Sequence, residues 1–164
     1  MTGILQVILF LIVLTIFHEI GHLISAKILK LPINKIGFQL EPYPSVFVSV
    51  DWPNSKIKKD IYLYSGTFIT LCLFIISWVF NFFDNKFLYI AFSLKLITES
   101  NPFYSDFTIS IVTNLYSEKF TKLQINLYKK MFSKYQFSFI WYLHFVLWFF
   151  IIFILLIIYK NIAL

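Results

Sequence analysis

The 164-residue chain is 59% hydrophobic and 13% charged, with a mean hydropathy of +0.78; this lies far outside the soluble globular range and points to one membrane-embedded domain, residues 1–164. Its net charge of +6 comes entirely from lysines that fall between apolar runs, which fits the loops of a membrane protein and excludes a nucleic-acid surface. The single cysteine, Cys72, stands in an apolar run and excludes a disulfide framework or a cysteine-rich metal site, so any metal must rely on histidine and carboxylate.

Four apolar stretches, residues 4–29, 61–80, 87–112 and 137–159, are long enough or nearly so to cross about 30 Å of hydrocarbon at ~1.5 Å per helical residue. The expected fold is therefore all-α: a polytopic membrane bundle of about four transmembrane helices with a short cytoplasmic β-hairpin. The first stretch reads as a retained helix and not a secretory signal, because no Lys or Arg precedes Ile4, the run is too long and no small-x-small cleavage site follows. It is interrupted by Phe17-His18-Glu19-Ile20-Gly21-His22. Positions i and i+4 share a helix face, so His18 and His22 can point nitrogens at one tetrahedral zinc ion. Glu19 lies beside them, where its carboxylate can act as general base, as in the H-E-x-x-H arrangement of zinc peptidases. Three ionisable groups in five residues of lipid-facing sequence are expensive, which weighs against a purely packing role.

After the first stretch, residues 35–40 and 46–51 alternate apolar and polar side chains around Glu41-Pro42-Tyr43-Pro44, the pattern of a short hairpin. Its edge can capture an extended peptide by main-chain pairing, or the hairpin can simply cover the bundle. Ser65-Gly66-Thr67 opens the second stretch and Gly21 and Ser25 lie four apart on the first, small residues of the kind that let membrane helices approach closely.

The third stretch contains Glu99-Ser100-Asn101-Pro102-Phe103-Tyr104-Ser105-Asp106. Pro102 lacks an N–H and disfavours helix at Asn101, so a kink or break is expected there, and broken backbone at membrane depth must line protein or a cavity. Counted along helices from their outer ends, His18, His22 and Asp106 fall at a similar depth of roughly 21 to 28 Å, which makes Asp106 the expected third ligand. Glu99 competes for that place, but Lys95 stands four residues before it and accounts for both as an intramembrane ion pair. His144 in the last stretch reads as a hydrogen-bonded packing residue or a support to the site, not a ligand. The loop after the first helix is assigned Lys27, Lys30, Lys35, Lys56, Lys58 and Lys59, and the loop after the third Lys119, Lys122, Lys129, Lys130 and Lys134. The positive-inside rule then puts both loops in the cytoplasm and the N-terminus outside.

Together these residues resemble the site-2 protease family of intramembrane zinc metallopeptidases. His18-Glu19-Ile20-Gly21-His22 is similar to the family's H-E-x-G-H, and Asn101, Pro102 and Asp106 to its N-P-containing segment that ends in the Asp of L-D-G. The chain departs from that pattern with Phe107 in place of Gly, Ser105 in place of Leu, and only Gly66 matching the family's G-P-x-x-N. The resemblance implies a minimal four-helix catalytic core without a regulatory domain, zinc as cofactor, and an active site toward the cytoplasmic side of the plasma membrane. It further implies a membrane-protein or peptide substrate, with Asn101 holding the substrate or the developing oxyanion, and leaves room for a regulatory membrane partner. Two other classes stand beside it: a gluzincin-type membrane peptidase using Glu99, and a non-enzymatic membrane protein such as a transporter subunit, immunity or accessory factor.

Overall fold

The computed structural model of the protein describes residues 2–39, 45–116 and 125–163. Among the described residues the chain is mostly helical, with six α-helices and one two-stranded antiparallel sheet. Helix α1, Thr2–Ile28, is apolar along almost its whole length. It stops where Lys30 turns left-handed (φ 55°), Lys30 N–H returns to Lys27 O and Leu31 N–H to Ala26 O at 2.8 Å, a Schellman closure with Lys where Gly is usual. Pro32 follows and cannot continue the helix.

Strands β1 (Ile33–Gln39) and β2 (Ser45–Val50) form the expected hairpin, with Ile36 opposite Val48 and Gly37 opposite Phe47. Asn34 is an extra residue between the pairs Ile33–Val50 and Lys35–Ser49, and its amide donates to Asp51 Oδ1 at 2.8 Å. The predicted turn, Glu41 to Pro44, lies outside the described residues, as do Lys119 and Lys122. Helix α2, Lys56–Val79, is capped by Ser55. A 3₁₀ turn, Phe82–Asp84, and the Asn85 cap lead into α3, Lys86–Glu99. Then come α4 (Asp106–Tyr116), α5 (Ile125–Tyr135) and α6 (Phe139–Ala163).

Three helices, α1, α2 and α6, are long and apolar enough to cross a membrane. Their outer faces expose Ile4, Leu9, Phe68, Ile75, Phe149 and Phe153, a surface suited to hydrocarbon and not to water. The third apolar stretch is divided at residues 100–105, as the Asn101-Pro102 pair predicts. Its halves, of 14 and 11 residues, reach only ~21 and ~17 Å, each short of a bilayer by itself. Helix α5 was not foreseen from the sequence; it forms because Met131 and Tyr135, four apart, both bury in the core.

The interior has two apolar clusters. One gathers Leu14, Phe74, Phe83, Tyr89, Phe92 and Leu96; the other gathers Ala26, Tyr62, Leu63, Ile109, Val112 and Tyr135. Between them, along the same helices, lie the buried polar residues His18 and His22 of α1, Thr67 and Thr70 of α2, and Glu99 of α3. Apolar packing on both sides thus fixes the helices that carry this polar layer.

Candidate metal centre

His18 and His22 project from one face of α1, as their i, i+4 spacing requires. Asp106 reaches the same point from the first turn of α4, 88 residues beyond His18. The separations are 3.1 Å between His18 Nε2 and His22 Nε2, and 3.2 Å from each of these to Asp106 Oδ2. Three donors bound at ~2.0–2.1 Å to a tetrahedral ion stand roughly 3.3 Å apart. The observed triangle is therefore close to the face of a tetrahedron around a small divalent ion.

The opposite edges of both rings explain why the three atoms can act as donors. His22 Nδ1–H donates to Tyr62 O at 2.8 Å, an acceptor that holds the proton on Nδ1 and leaves the Nε2 lone pair pointing at the triangle. His18 Nδ1 lies 2.7 Å from Glu99 Oε1 in an ion-pair contact that falls outside hydrogen-bond geometry and places the carboxylate on the far edge of the ring. Two imidazole lone pairs and a carboxylate oxygen then meet within 3.2 Å. Such an arrangement repels itself unless a proton, as in a hydrogen bond from His18 Nε2 to Asp106 Oδ2, or a metal cation lies among them. Charge balance is compatible with a metal, since among the described residues Glu19, Glu99 and Asp106 face Lys95 around the rings, a formal excess of two negative charges that a divalent ion neutralises.

Glu19, with His18 and His22, offers donor atoms that all lie within 4.8 Å of one another. Its Oε2 accepts a hydrogen bond from Val48 N–H of β2 at 3.0 Å, while Tyr62 O–H donates to Val48 O at 2.6 Å. Val48 therefore turns its backbone groups away from β1 and toward the site, and Val46 and Val50 present theirs on the same edge. The donors open into a cavity of about 870 Å³, lined also by β2, Trp52, Tyr104 and Ile109.

Two glycines make this approach possible. A Cβ at Gly66 would lie 2.5 to 2.7 Å from the His18 ring, so α2 gives the imidazole its space only because residue 66 has no side chain. A Cβ at Gly21 would lie 2.6 Å from Ser65 O, and Ser25 Oγ and Ser65 Oγ are 2.9 Å apart, so the two helices are in backbone contact here.

Of the residues expected from the sequence, His18, His22, Asp106 and Glu19 are brought together. Asn101 is used differently. Its Oδ1 accepts from Phe103 N–H and Tyr104 N–H, its Nδ2 donates to Thr98 O and Tyr104 O, and it does not line the cavity. Ser105 Oγ accepts from Thr108 N–H at 3.2 Å and so caps α4 beside Asp106. His144 is a packing residue: its Nδ1 accepts from Tyr135 O–H at 2.7 Å and its Nε2–H donates to Ser100 O at 3.0 Å. With Trp148, which donates to Ile97 O, it satisfies carbonyls freed where α3 ends. Lys95 and Glu99 form the expected i, i+4 ion pair at 3.3 Å, but the pair also faces His18, which the sequence reading missed. Tyr62 and Val48 were missed too, because nothing in local sequence marks a backbone group as part of a site. No protein-family model, no curated protein and no solved structure matches the chain.

Proposed function

We propose that the chain is an intramembrane zinc metalloendopeptidase that hydrolyses a peptide bond of a membrane-spanning or membrane-proximal protein. The observation that carries this reading is the 3.1–3.2 Å triangle of His18 Nε2, His22 Nε2 and Asp106 Oδ2, with Glu19 alongside and a cavity in front. Two imidazoles and a carboxylate with one open direction form a donor set suited to catalytic zinc. When bound there, zinc would lower the pKa of a coordinated water to about 7 and polarise the scissile carbonyl. Glu19 is the proton carrier: Val48 N–H fixes its Oε2, leaving Oε1 to accept a proton from the attacking water and hand it to the leaving nitrogen. Glu99 faces the far edge of the His18 ring, which argues against its use as third ligand in a gluzincin-type site.

The substrate lies extended along the site-facing edge of β2, pairing at Val46 and Val50, while the N–H and C=O of Val48 stay with Glu19 and Tyr62. Asn101 serves the site by capping the loop that delivers Asp106. A purified chain should hold about one zinc, with cleavage of a single-span substrate lost on chelation and regained with zinc. A His18→Ala, His22→Ala double variant that kept full zinc would remove these ligands from the site.

In this reading the protein is multi-pass in the plasma membrane, with α3 and α4 together making a broken fourth crossing and the lysine-rich loops in the cytoplasm. After replacement of Cys72, cysteines at positions 55 and 133 should be labelled from the cytoplasmic side. Labelling only from outside would reverse the topology.

A further inference from the structure

The geometry points to Glu99 as a positioning residue of the metal centre, held by Lys95 and Thr70 so that it fixes the His18 ring; this rests on the metal-binding reading above. Glu99 is buried, at 6% exposure, and a single oxygen, Oε1, gathers its contacts: His18 Nδ1 at 2.7 Å, Thr70 Oγ1 at 2.9 Å and Lys95 Nζ at 3.3 Å. Oε2 is buried with no hydrogen-bond partner. A carboxylate present only to neutralise Lys95 needs neither the ring nor the threonine. Here the three contacts come from three helices, α1, α2 and α3, and converge on the edge of His18 that faces away from Asp106.

The physical consequence concerns Nε2. A carboxylate 2.7 Å from Nδ1 restrains rotation of the ring and so holds Nε2 toward Asp106 and His22. Gly66 restrains the ring from the α2 side, where a Cβ would meet it at 2.5 Å. Thr70, wholly buried, stands one turn further along α2 and also reaches Gly66 O at 3.3 Å. Lys95 balances the charge that Glu99 would otherwise add to a layer already holding Glu19 and Asp106. Glu99 thus acts through His18 and touches neither the ion nor the reacting atoms.

The test uses full-length, detergent-purified protein loaded with Co²⁺, whose visible bands report ligand geometry independently of activity. Glu99→Gln keeps the shape and a weaker acceptor, Glu99→Leu removes the acceptor, and Thr70→Val removes one restraint on Glu99. Metal affinity, measured by competition with a chromophoric chelator, should fall in the order wild type, Glu99→Gln, Glu99→Leu, by ~10 to 100-fold overall, the usual effect of losing such a partner. The tetrahedral Co²⁺ bands should shift yet keep their intensity, and Thr70→Val should give a smaller shift in the same direction. If Glu99→Gln lowers the thermal stability of the metal-free protein but leaves affinity and bands unchanged, Glu99 is only a structural ion-pair partner and the inference is overturned. Loss of the tetrahedral bands would instead make Glu99 a ligand, which also overturns it. A wild-type chain without tetrahedral Co²⁺ bands overturns the metal-centre reading itself, and this inference with it. Should Glu99→Leu fail to fold, Glu99→Gln decides.

Discussion

Peptide hydrolysis by a Glu19→Gln variant should fall by ~10² to 10⁴-fold, the contribution of a positioned general base, while its zinc content stays near that of the wild type. The amide has almost the same shape as the carboxylate, and its oxygen can still accept the hydrogen bond that Val48 N–H now gives to Oε2 at 3.0 Å. The three donor atoms of His18, His22 and Asp106 are untouched by the change. What the variant loses is the ability to take a proton. Elemental analysis and single-turnover cleavage on the same preparation separate the two effects. A wild-type cleavage rate would remove Glu19 from the mechanism, and a biological activity that survives without hydrolysis would favour a non-enzymatic protein.

Gly66→Ala should empty the metal site while leaving the protein folded. The new Cβ would lie 2.5 to 2.7 Å from three atoms of the His18 ring, closer than van der Waals contact allows. Retreat of either helix would open the close contact that α1 makes with α2 at Gly21 and Ser65 O. The flexible partner is the imidazole, which must rotate and carry Nε2 out of the donor triangle. Overpacking of this kind usually costs about 1–3 kcal/mol, so metal content and cleavage should suffer far more than stability. Gly37→Ala is the control: its Cβ would meet the Phe47 ring at 3.2 Å and Lys35 Cε at 3.6 Å, both within the hairpin, and zinc should stay near one per chain. Full zinc in the Gly66→Ala chain would show that His18 can bind from another rotamer, or does not bind.

The sequence by itself determined everything that depends on local geometry. The i, i+4 spacing of His18 and His22 obliges them to share a face in any helix, the alternation around residues 41–44 obliges a hairpin, and Pro102 obliges a break in the third apolar stretch. Hydropathy likewise sufficed for the long apolar helices α1, α2 and α6. Tertiary structure alone decided which distant groups meet. Asp106 comes to His18 across 88 residues because two apolar clusters clamp α1, α2 and α3 around one polar layer and Gly66 leaves a ring-sized gap between them. Glu99 read as a partner for Lys95 because i, i+4 spacing reports only contacts within one helix; its approach to His18 depends on how α3 packs on α1. Asn101 read as a group free to meet substrate, yet the freed backbone of its own break takes up the amide, since a helix end leaves N–H and C=O groups without partners inside the helix. The bond from Val48 N–H to Glu19 was invisible for the same reason, because every residue but proline carries that donor and only the fold chooses which one faces the site.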